Sequence, residues 1–130
     1  MADALTFELV SPERKLASAE AEMVTIPGMQ GEMSVMANHA PFLTTLRPGF
    51  VVVRTGTTAE RYFVTGGFAE ISDNTISVLA ELAVEEAVVT TDWLDARINE
   101  AKQAVEEAGE DRSQAVRQRL FDFQAVRSAA

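Results

Sequence analysis

The apolar residues of this 130-residue chain change their spacing near Val89. Before that residue they tend to alternate with polar ones, as they do from Leu5 to Leu9, and alternation is typical of half-buried β-strands. After it they recur every three or four residues, which is typical of an amphipathic α-helix. The sequence therefore predicts an α+β protein in segregated parts. An all-β sandwich or flattened barrel at residues 1–88 precedes an antiparallel two-helix hairpin at residues 89–130.

Turn signals divide the first part into many short strands. The dividing segments are Ser11-Pro12, Pro27-Gly28, Pro48-Gly49, Thr55-Gly56-Thr57 and Ser72-Asp73-Asn74. Many short strands at close spacing are typical of a sandwich or a barrel. Consecutive apolar residues from Phe50 to Val53 predict a strand that is covered on both faces. Gly66 and Gly67, inside an apolar run, predict a bulge or a close crossing of two backbones.

The second part carries two helical stripes separated by a break. Asp92 predicts the start of the first helix, as a capping acceptor, and Gly109-Glu110-Asp111 predicts the break after it. The apolar stripes are Leu94, Ile98, Ala101, Val105 and Ala108 in the first helix, and Val116, Leu120, Phe123 and Val126 in the second. The first helix is mostly acidic (Asp92, Asp95, Glu100, Glu106, Glu107) and the second mostly basic (Arg112, Arg117, Arg119, Arg127). A short connection and opposite charges favour an antiparallel hairpin.

Charge and cysteine content exclude several classes of function. The formal net charge is −9 at pH 7, and a surface of that sign repels the phosphates of nucleic acids. The chain has no cysteine and one histidine, so it has no disulfide and lacks the donors of a zinc site. No apolar run reaches the roughly 20 residues that a membrane helix needs. We therefore expect a soluble chain that binds no metal and no nucleic acid and reaches a membrane only through a partner.

The chain resembles the epsilon subunit of bacterial F-type ATP synthases over essentially its whole length. The resemblance is carried by FELVSPER at 7–14, by GEM at 31–33, by HAPFLTTLRPG at 39–49, and by GGFAEI at 66–71 leading into TISVLAE at 75–81. It implies a non-catalytic rotor subunit of the central stalk, whose β-domain binds the gamma subunit and the c-ring. It also implies a peripheral location on the cytoplasmic face of the inner membrane. In some members of the family the helical hairpin extends toward the alpha/beta hexamer and obstructs ATP hydrolysis.

The segment between the two Pro-Gly pairs holds the residues that the resemblance places at the c-ring. Glu32 is the expected contact, with Met29, Met33 and His39 beside it. Each has an alternative role. The methionines would serve equally as core filler, Glu32 as a solvated turn carboxylate, and His39 as a brace that hydrogen-bonds within its loop.

This segment departs from the usual family loop at two places. Ser34 stands where glycine is common, and Ala37-Asn38 stands where Pro-Gly is common. No catalytic residue is predicted, because no nucleophile motif surrounds His39.

The helical hairpin is also examined as a candidate nucleotide-binding site. Certain bacterial epsilon subunits bind ATP through a first-helix motif of aliphatic residue, acid, two residues and Arg-Ala, helped by arginines of the second helix. Here Leu94 takes the place of the acid and Ile98 that of the alanine, although Arg97 is retained. Arg97 and Arg119 are therefore the candidate anion-binding residues. Such arginines more often pack their stems on apolar surface, so we expect no bound ATP and no other cofactor.

Two other functions are compatible with the residues taken alone. A free-standing β-sandwich module that binds some other protein, unrelated to ATP synthase, would fail to co-purify with a gamma-like subunit. A small hydrolase would use His39 together with a serine or an aspartate. That enzyme needs a second titratable group within hydrogen-bond reach of the imidazole, so the neighbours of His39 decide the question.

Overall fold

The structure, a computed structural model, describes residues 4–129, with side chains described throughout that range except at 110–113. The chain divides into two compact units whose boundary lies between Glu86 and Ala87. The first unit is built of β-strands and the second of helices. The predicted order, a β-sandwich followed by a two-helix segment, is confirmed.

Ten strands of the described chain form the first unit. They are β1 (Leu5–Val10), β2 (Lys15–Ala21), β3 (Met23–Gly28), β4 (Gly31–Met36), β5 (Phe42–Leu46), β6 (Gly49–Thr55), β7 (Thr58–Val64), β8 (Gly67–Ser72), β9 (Thr75–Ala80) and β10 (Ala83–Glu85). Their order across the sheet is β10-β7-β6-β3-β5-β8-β9-β1-β2, and β4 pairs with β3 outside that order. Neighbouring strands run antiparallel except for β1 and β9, which run parallel.

Side chains at alternate positions along the strands point inward and form one hydrophobic core. On β1 the side chains of Leu5, Phe7 and Leu9 are fully buried, and the residues between them are half-buried. The same cluster includes Val24, Ile26, Val35, Val51, Val64, Ile71, Ile76 and Val78. Full burial of one such side chain stabilises the fold by about 1.5–3 kcal/mol. The alternation predicted from the sequence is therefore the pattern that holds the unit together.

Strand β6 is covered on both faces, one more completely than the other. Val51 and Val53 are buried, and Phe50 and Val52 on the opposite face are partly buried, in agreement with the prediction of a strand covered on both faces. The Arg61 guanidinium carbon lies 4.3 Å from the centroid of the Phe50 ring. A long cationic side chain can shield an aromatic ring while its charge stays in water. The ring of the fully buried Phe63 also contacts Phe50, with centroids 5.2 Å apart, so this face of β6 is covered by both an arginine and an aromatic side chain.

The two adjacent glycines allow β8 to start in close contact with β9, as predicted. Gly66 and Gly67 have positive φ angles of 144° and 133°, a region that residues with a Cβ rarely enter. A Cβ added to Gly67 would lie 2.1 Å from the carbonyl oxygen of Leu79. Position 67 therefore admits no side chain without movement of the backbone.

The second unit contains a 3₁₀ turn (Glu86–Val88, which begins at the boundary) and two helices, α1 (Thr91–Glu107) and α2 (Glu110–Ala129). The predicted cap Asp92 is wrong, because the Thr90 hydroxyl accepts a hydrogen bond from the Trp93 amide at 3.1 Å. Thr90 has the extended backbone that a capping residue needs, and Asp92 instead lies in the first turn. Neither helix in residues 4–129 has the length and apolar character needed to cross a membrane.

The connection between the helices is shorter than predicted. Ala108 has an extended backbone (φ −73°, ψ 138°), and α2 already begins at Glu110, so the predicted break at 109–111 contracts to Ala108 and Gly109. The two helices pack against each other. Among the described side chains of this unit, the buried ones are Leu94, Ile98, Ala101, Asp122 and Phe123.

An ion pair links the two helices of the second unit. Arg127 Nε donates to Asp95 Oδ1 at 3.0 Å. The predicted attraction between an acidic and a basic helix takes this form, whereas the side chain of Arg112 lies outside the described residues. Both partners are about half exposed, and such surface pairs stabilise by roughly 0–1 kcal/mol. The pair orients the helices more than it holds them together.

The substitution Gly67→Ala is expected to lower the free energy of unfolding by about 2 kcal/mol or more, because the new Cβ overlaps the Leu79 carbonyl. Urea unfolding measures this loss. Gly56→Ala is the matched control, since Gly56 also has a positive φ (60°) but no atom within 4 Å of the added Cβ. That variant should lose about 1 kcal/mol. Equal losses in the two variants would contradict the close crossing.

The hydroxyl of Tyr62 makes the stability of the first unit depend on pH in the alkaline range. Its hydroxyl donates to Glu60 Oε2 at 2.8 Å, and its ring stacks on Phe7 with centroids 6.3 Å apart. Burial first, and then the neighbouring carboxylates of Glu60 and Glu85, raise the pKa of Tyr62 to about 12. The folded protein therefore holds this proton more tightly than the unfolded chain, in which tyrosine titrates near 10.

The contribution of the Tyr62 proton to stability is complete below about pH 10 and is lost as the pH rises toward about 12. We expect the urea midpoint to fall between about pH 9 and about pH 11. The fall should be smaller in Tyr62→Phe, which keeps the ring and removes the titrating hydroxyl. The same fall in both proteins would assign the alkaline loss to other groups.

Candidate functional site

A strip of apolar side chains crosses the outer face of four neighbouring strands. Thr45, Phe68, Leu79 and Val10 are successive register partners on β5, β8, β9 and β1. The Phe68 side chain is 50% exposed and Leu79 is 49% exposed, and Leu43, on the same face of β5, is 65% exposed. Because neighbouring strands lie about 4.8 Å apart, the row extends for about 14 Å. We call Leu43, Phe68, Leu79 and Val10 the apolar strip.

Phe68 separates two grooves on this surface. The first groove has a volume of about 650 Å³, and its lining includes Met29, Glu32, Met33, Phe42, Leu43 and Phe68. The second has a volume of about 360 Å³, and its lining includes Val10, Ser11, Pro12, Phe68, Leu79 and Glu81. The residues that line the two grooves include no lysine, arginine or histidine. Contiguous exposed apolar surface is typical of interaction sites, so this surface is the candidate functional site.

Three of the four residues predicted at the c-ring lie together at the first groove. Met29 is 49% exposed at the tip of the β3–β4 hairpin, and the exposed Glu32 follows at the start of β4, opposite Pro27. Met33 is half-buried and packs against the core. The two roles considered for the methionines are thus divided, with Met29 on the surface and Met33 partly in the core.

His39 lies away from these three, beyond the other end of β4. It does not line the first groove, and its Nδ1 donates a hydrogen bond to the carbonyl oxygen of Ala40 at 2.8 Å. This is the loop-bracing role considered for it. Among the described residues no serine or aspartate hydrogen-bonds to the imidazole, so the partner that a hydrolase needs is not placed there.

The loop that holds His39 is tied to two other segments. The Asn38 amide donates to Asn74 Oδ1 at 2.8 Å, and the Asn74 carbonyl accepts from the Thr6 amide at 2.8 Å. Asn38 has a φ of 66°, in the left-handed region that glycine and asparagine enter most readily. Asparagine can therefore stand where glycine is common in the family loop.

Ser34 fills the other unusual position of this segment. Its hydroxyl lies 2.9 Å from the Thr25 hydroxyl, which places a hydrogen bond across the β3–β4 pair. Paired hydroxyls across neighbouring strands stabilise a sheet by a fraction of a kcal/mol, on the order of 0.2–1. The hydroxyl pair of Thr25 and Ser34 therefore stabilises the hairpin that presents Met29 and Glu32.

Sequence reasoning missed the apolar strip. Outward positions of β8 are Phe68, Glu70 and Ser72, so Phe68 is an aromatic residue in an otherwise polar series. This single aromatic residue among polar ones was the sequence signal that could have identified the strip. The exposure of Phe68 could not be predicted because this residue also ends the apolar run that begins at Tyr62. When the strand register is unknown, such a run predicts buried core residues.

The two candidate anion-binding arginines each contact an aromatic ring of their own helix. The Arg97 guanidinium carbon lies 5.2 Å from the Trp93 ring centroid, and that of Arg119 lies 5.5 Å from the Phe123 centroid. Arg97 also pairs with Glu100 at 3.3 Å, while its Nε is buried without a hydrogen bond. For both arginines, this packing of the side chain on an apolar surface is the alternative to anion binding. Among the side chains that the structure describes, no group of three or more acidic or histidine residues is arranged to hold a metal ion.

Residues 4–86 match the family model described as ATP synthase, Delta/Epsilon chain, beta-sandwich domain. The chain belongs to this ATP synthase family. It is 48% identical over 131 residues to the ATP synthase epsilon chain of Cereibacter sphaeroides (strain ATCC 17025), with 100% of this chain and 98% of that relative covered. It is 49% identical over 114 residues to the epsilon chain of Ruegeria sp. (strain TM1040), with 88% and 83% covered. The likeness to epsilon chains therefore extends through the helical unit.

Solved structures with the same fold come from mitochondrial ATP synthases. A chain of the Euglena gracilis OSCP/F1/c-ring assembly matches with a TM-score of 0.75 and 23% identity, over 97% of this chain and 81% of that one. A chain of the Tetrahymena thermophila central stalk/c-ring assembly matches with a TM-score of 0.63 and 15% identity, over 97% and 98%. At such identities the likeness concerns the fold alone.

Family membership decides between the functions considered from the sequence. Epsilon chains are non-catalytic subunits in the peripheral F1 portion of ATP synthase. The predicted resemblance is confirmed, and so is a non-enzymatic role. The alternative of a module unrelated to ATP synthase is wrong.

We expect millimolar ATP to leave amide hydrogen exchange of α1 and α2 unchanged, because Leu94 replaces the acid of the ATP-binding motif and Arg97 is engaged by Trp93 and Glu100. Exchange is measured by mass spectrometry on the full chain, with and without ATP. Protection by ATP that persists in Arg117→Ala, a control on the exposed side of α2, but disappears in Arg97→Ala would contradict this expectation.

Proposed function

We propose that this chain is the rotor subunit that links the gamma subunit to the c-ring of a proton-translocating F-type ATP synthase, coupling ring rotation to the catalytic hexamer. The observation that carries the proposal is the apolar strip, on the same unit that matches the delta/epsilon β-sandwich family model. Exposed Phe68 and Leu79 are unfavourable in water, and a partner that covers them gains about 25 cal/mol for each Å² buried. A permanent partner in the central stalk satisfies this requirement.

The gamma subunit is the proposed occupant of the apolar strip. The strip lies on regular strands, whose registers hold its side chains in fixed positions. Fixed aromatic and aliphatic anchors lose little conformational freedom on binding, so they favour a stable and specific contact. A rotor that transmits torque needs a contact of this rigid kind.

The β3–β4 hairpin is the proposed contact with the c-ring. Gly28 pairs with Gly31, so Met29 and Gln30 form its tip and Glu32 follows directly. Glu32 is exposed and has no ion-pair partner among the described residues, so its carboxylate is available to polar loops of the ring. Contact with those loops places the subunit on the cytoplasmic face of the inner membrane, as a peripheral component.

The helical unit is proposed to contact the alpha/beta hexamer and to obstruct ATP hydrolysis. Its inter-helix ion pair is exposed, and one of the three buried residues of α1 is the small Ala101. Elements with few large buried apolar side chains open at low free energy. Such a unit suits a part that changes conformation while the β-sandwich stays folded.

Affinity purification of the tagged full chain from a detergent extract tests the proposed function. We expect co-purification of gamma, alpha, beta and the c-ring. A chain that ends at Glu86 should still bring down gamma, because the first unit has its own core. Loss of gamma from the shortened chain would move the main contact to the helices, and absence of all four subunits from the full chain would overturn the function.

The substitution Glu32→Lys is expected to lower proton-driven ATP synthesis roughly twofold or more, because a reversed charge at an interface disturbs its complementarity. The melting temperature of the isolated subunit should stay within about 2 °C, since Glu32 is exposed. Synthesis is measured in inverted vesicles that carry the variant subunit. Glu22→Lys, an equal change at an exposed acid between β2 and β3, is the control. A matching fall in melting temperature would make Glu32 a folding residue, and unchanged synthesis would remove it from the ring contact.

A further inference from the structure

Glu70 borders the apolar strip on the outer face of β8. It lies two residues from Phe68 and is the register partner of Leu43 on β5. Its side chain is exposed, and within the described residues no ion pair involves Glu70. Glu32 stands on the lining of the adjacent first groove and likewise has no cationic partner there. The apolar surface is thus bordered on this side by unpaired negative charge, whereas at its other end Lys15, the register partner of Val10, is paired with Glu8 at 3.0 Å.

We propose that this surface binds an apolar patch that carries a lysine or arginine at its edge, and that Glu70 selects its partner by pairing with that cation. The proposal rests on the proposed function, which makes the gamma subunit the occupant. A carboxylate beside an apolar surface loses hydration when a partner covers it, and that cost is recovered only if the partner supplies a counter-charge. A partner with an apolar patch but no cation is therefore rejected.

Phe68 contributes most of the free energy of binding, and Glu70 discriminates between partners. Phe68 stands between the two grooves, so apolar groups of a partner can pack on both sides of its ring. A central aromatic residue of this kind usually dominates the free energy of binding. Charges at the border of an interface act more on specificity and on the association rate.

The same charge argues against a second copy of this chain as the occupant. In a symmetric dimer through the strip, each Glu70 would face another surface whose described groove linings hold Glu32 and Glu81 but no cation. The cation beside the strip, Lys15, is already paired with Glu8. Like charges at an interface disfavour the contact. A cation-bearing partner of a different sequence avoids that repulsion.

The test measures binding of the full chain to the purified gamma subunit at low and high salt by surface plasmon resonance. Phe68→Ser should weaken binding roughly 30-fold or more at both salt concentrations. Glu70→Gln should weaken it roughly 3- to 10-fold at low salt and flatten its salt dependence. Glu70→Lys should weaken it further. Glu22→Gln, which removes an exposed carboxylate outside both grooves, should bind like the wild type.

The outcomes separate this proposal from the function on which it rests. If gamma binds and Phe68→Ser abolishes binding while Glu70→Gln keeps the wild-type affinity and salt dependence, selection by charge is overturned and the rotor function stands. If the wild type does not bind gamma, or self-associates through the strip in analytical ultracentrifugation, both are overturned. Unchanged melting temperatures of the variants exclude misfolding, since the altered side chains are exposed.

Discussion

The close crossing of β8 and β9 at Gly67 is the constraint on which the outer surface of the first unit depends. Without a Cβ at that position the two backbones approach closely and the pairs Gly67–Ala80 and Phe68–Leu79 form. Side chains alternate between the faces of a strand, so a slip of one residue would turn Phe68 inward and Ala69 outward. One register therefore sets both the packing of the core and the composition of the proposed binding surface.

The fold could be predicted from the sequence because its two periods are strong and separate. Alternation before Val89 and three-to-four spacing after it correspond to strands and helices whose inner faces are buried. Details that depend on a few atoms were not accessible in this way. Thr90 and Asp92 are both chemically able to cap a helix, and the backbone conformation, which the sequence does not specify, decided for Thr90. Coverage of Phe50 by Arg61 likewise depends on pairing between β6 and β7.

The candidate site was predicted in part, and the limit has a physical cause. Glu32 and Met29 were named because the family resemblance implies a c-ring contact there, and both are exposed at or beside the tip of the β3–β4 hairpin. The strip formed by Phe68 and Leu79 was missed because exposure of a strand residue depends on which face points inward, and that is a property of the assembled sheet. His39 shows the converse case, in which a residue chosen for its type hydrogen-bonds to its neighbour Ala40.

The parallel pairing of β1 with β9 has a consequence for how the protein is made. Among the described strands it is the pairing that joins the beginning of the first unit to a segment close to its end, with Phe7 opposite Ile76. Contacts between such distant segments form slowly, because a long loop must close before they stabilise the chain. On the ribosome, β1 therefore has β2 on one edge while its other edge stays open until β9 is synthesised. An unpaired edge of this kind can template aggregation, so a nascent chain that stalls before β9 is the form of this protein that most needs a chaperone.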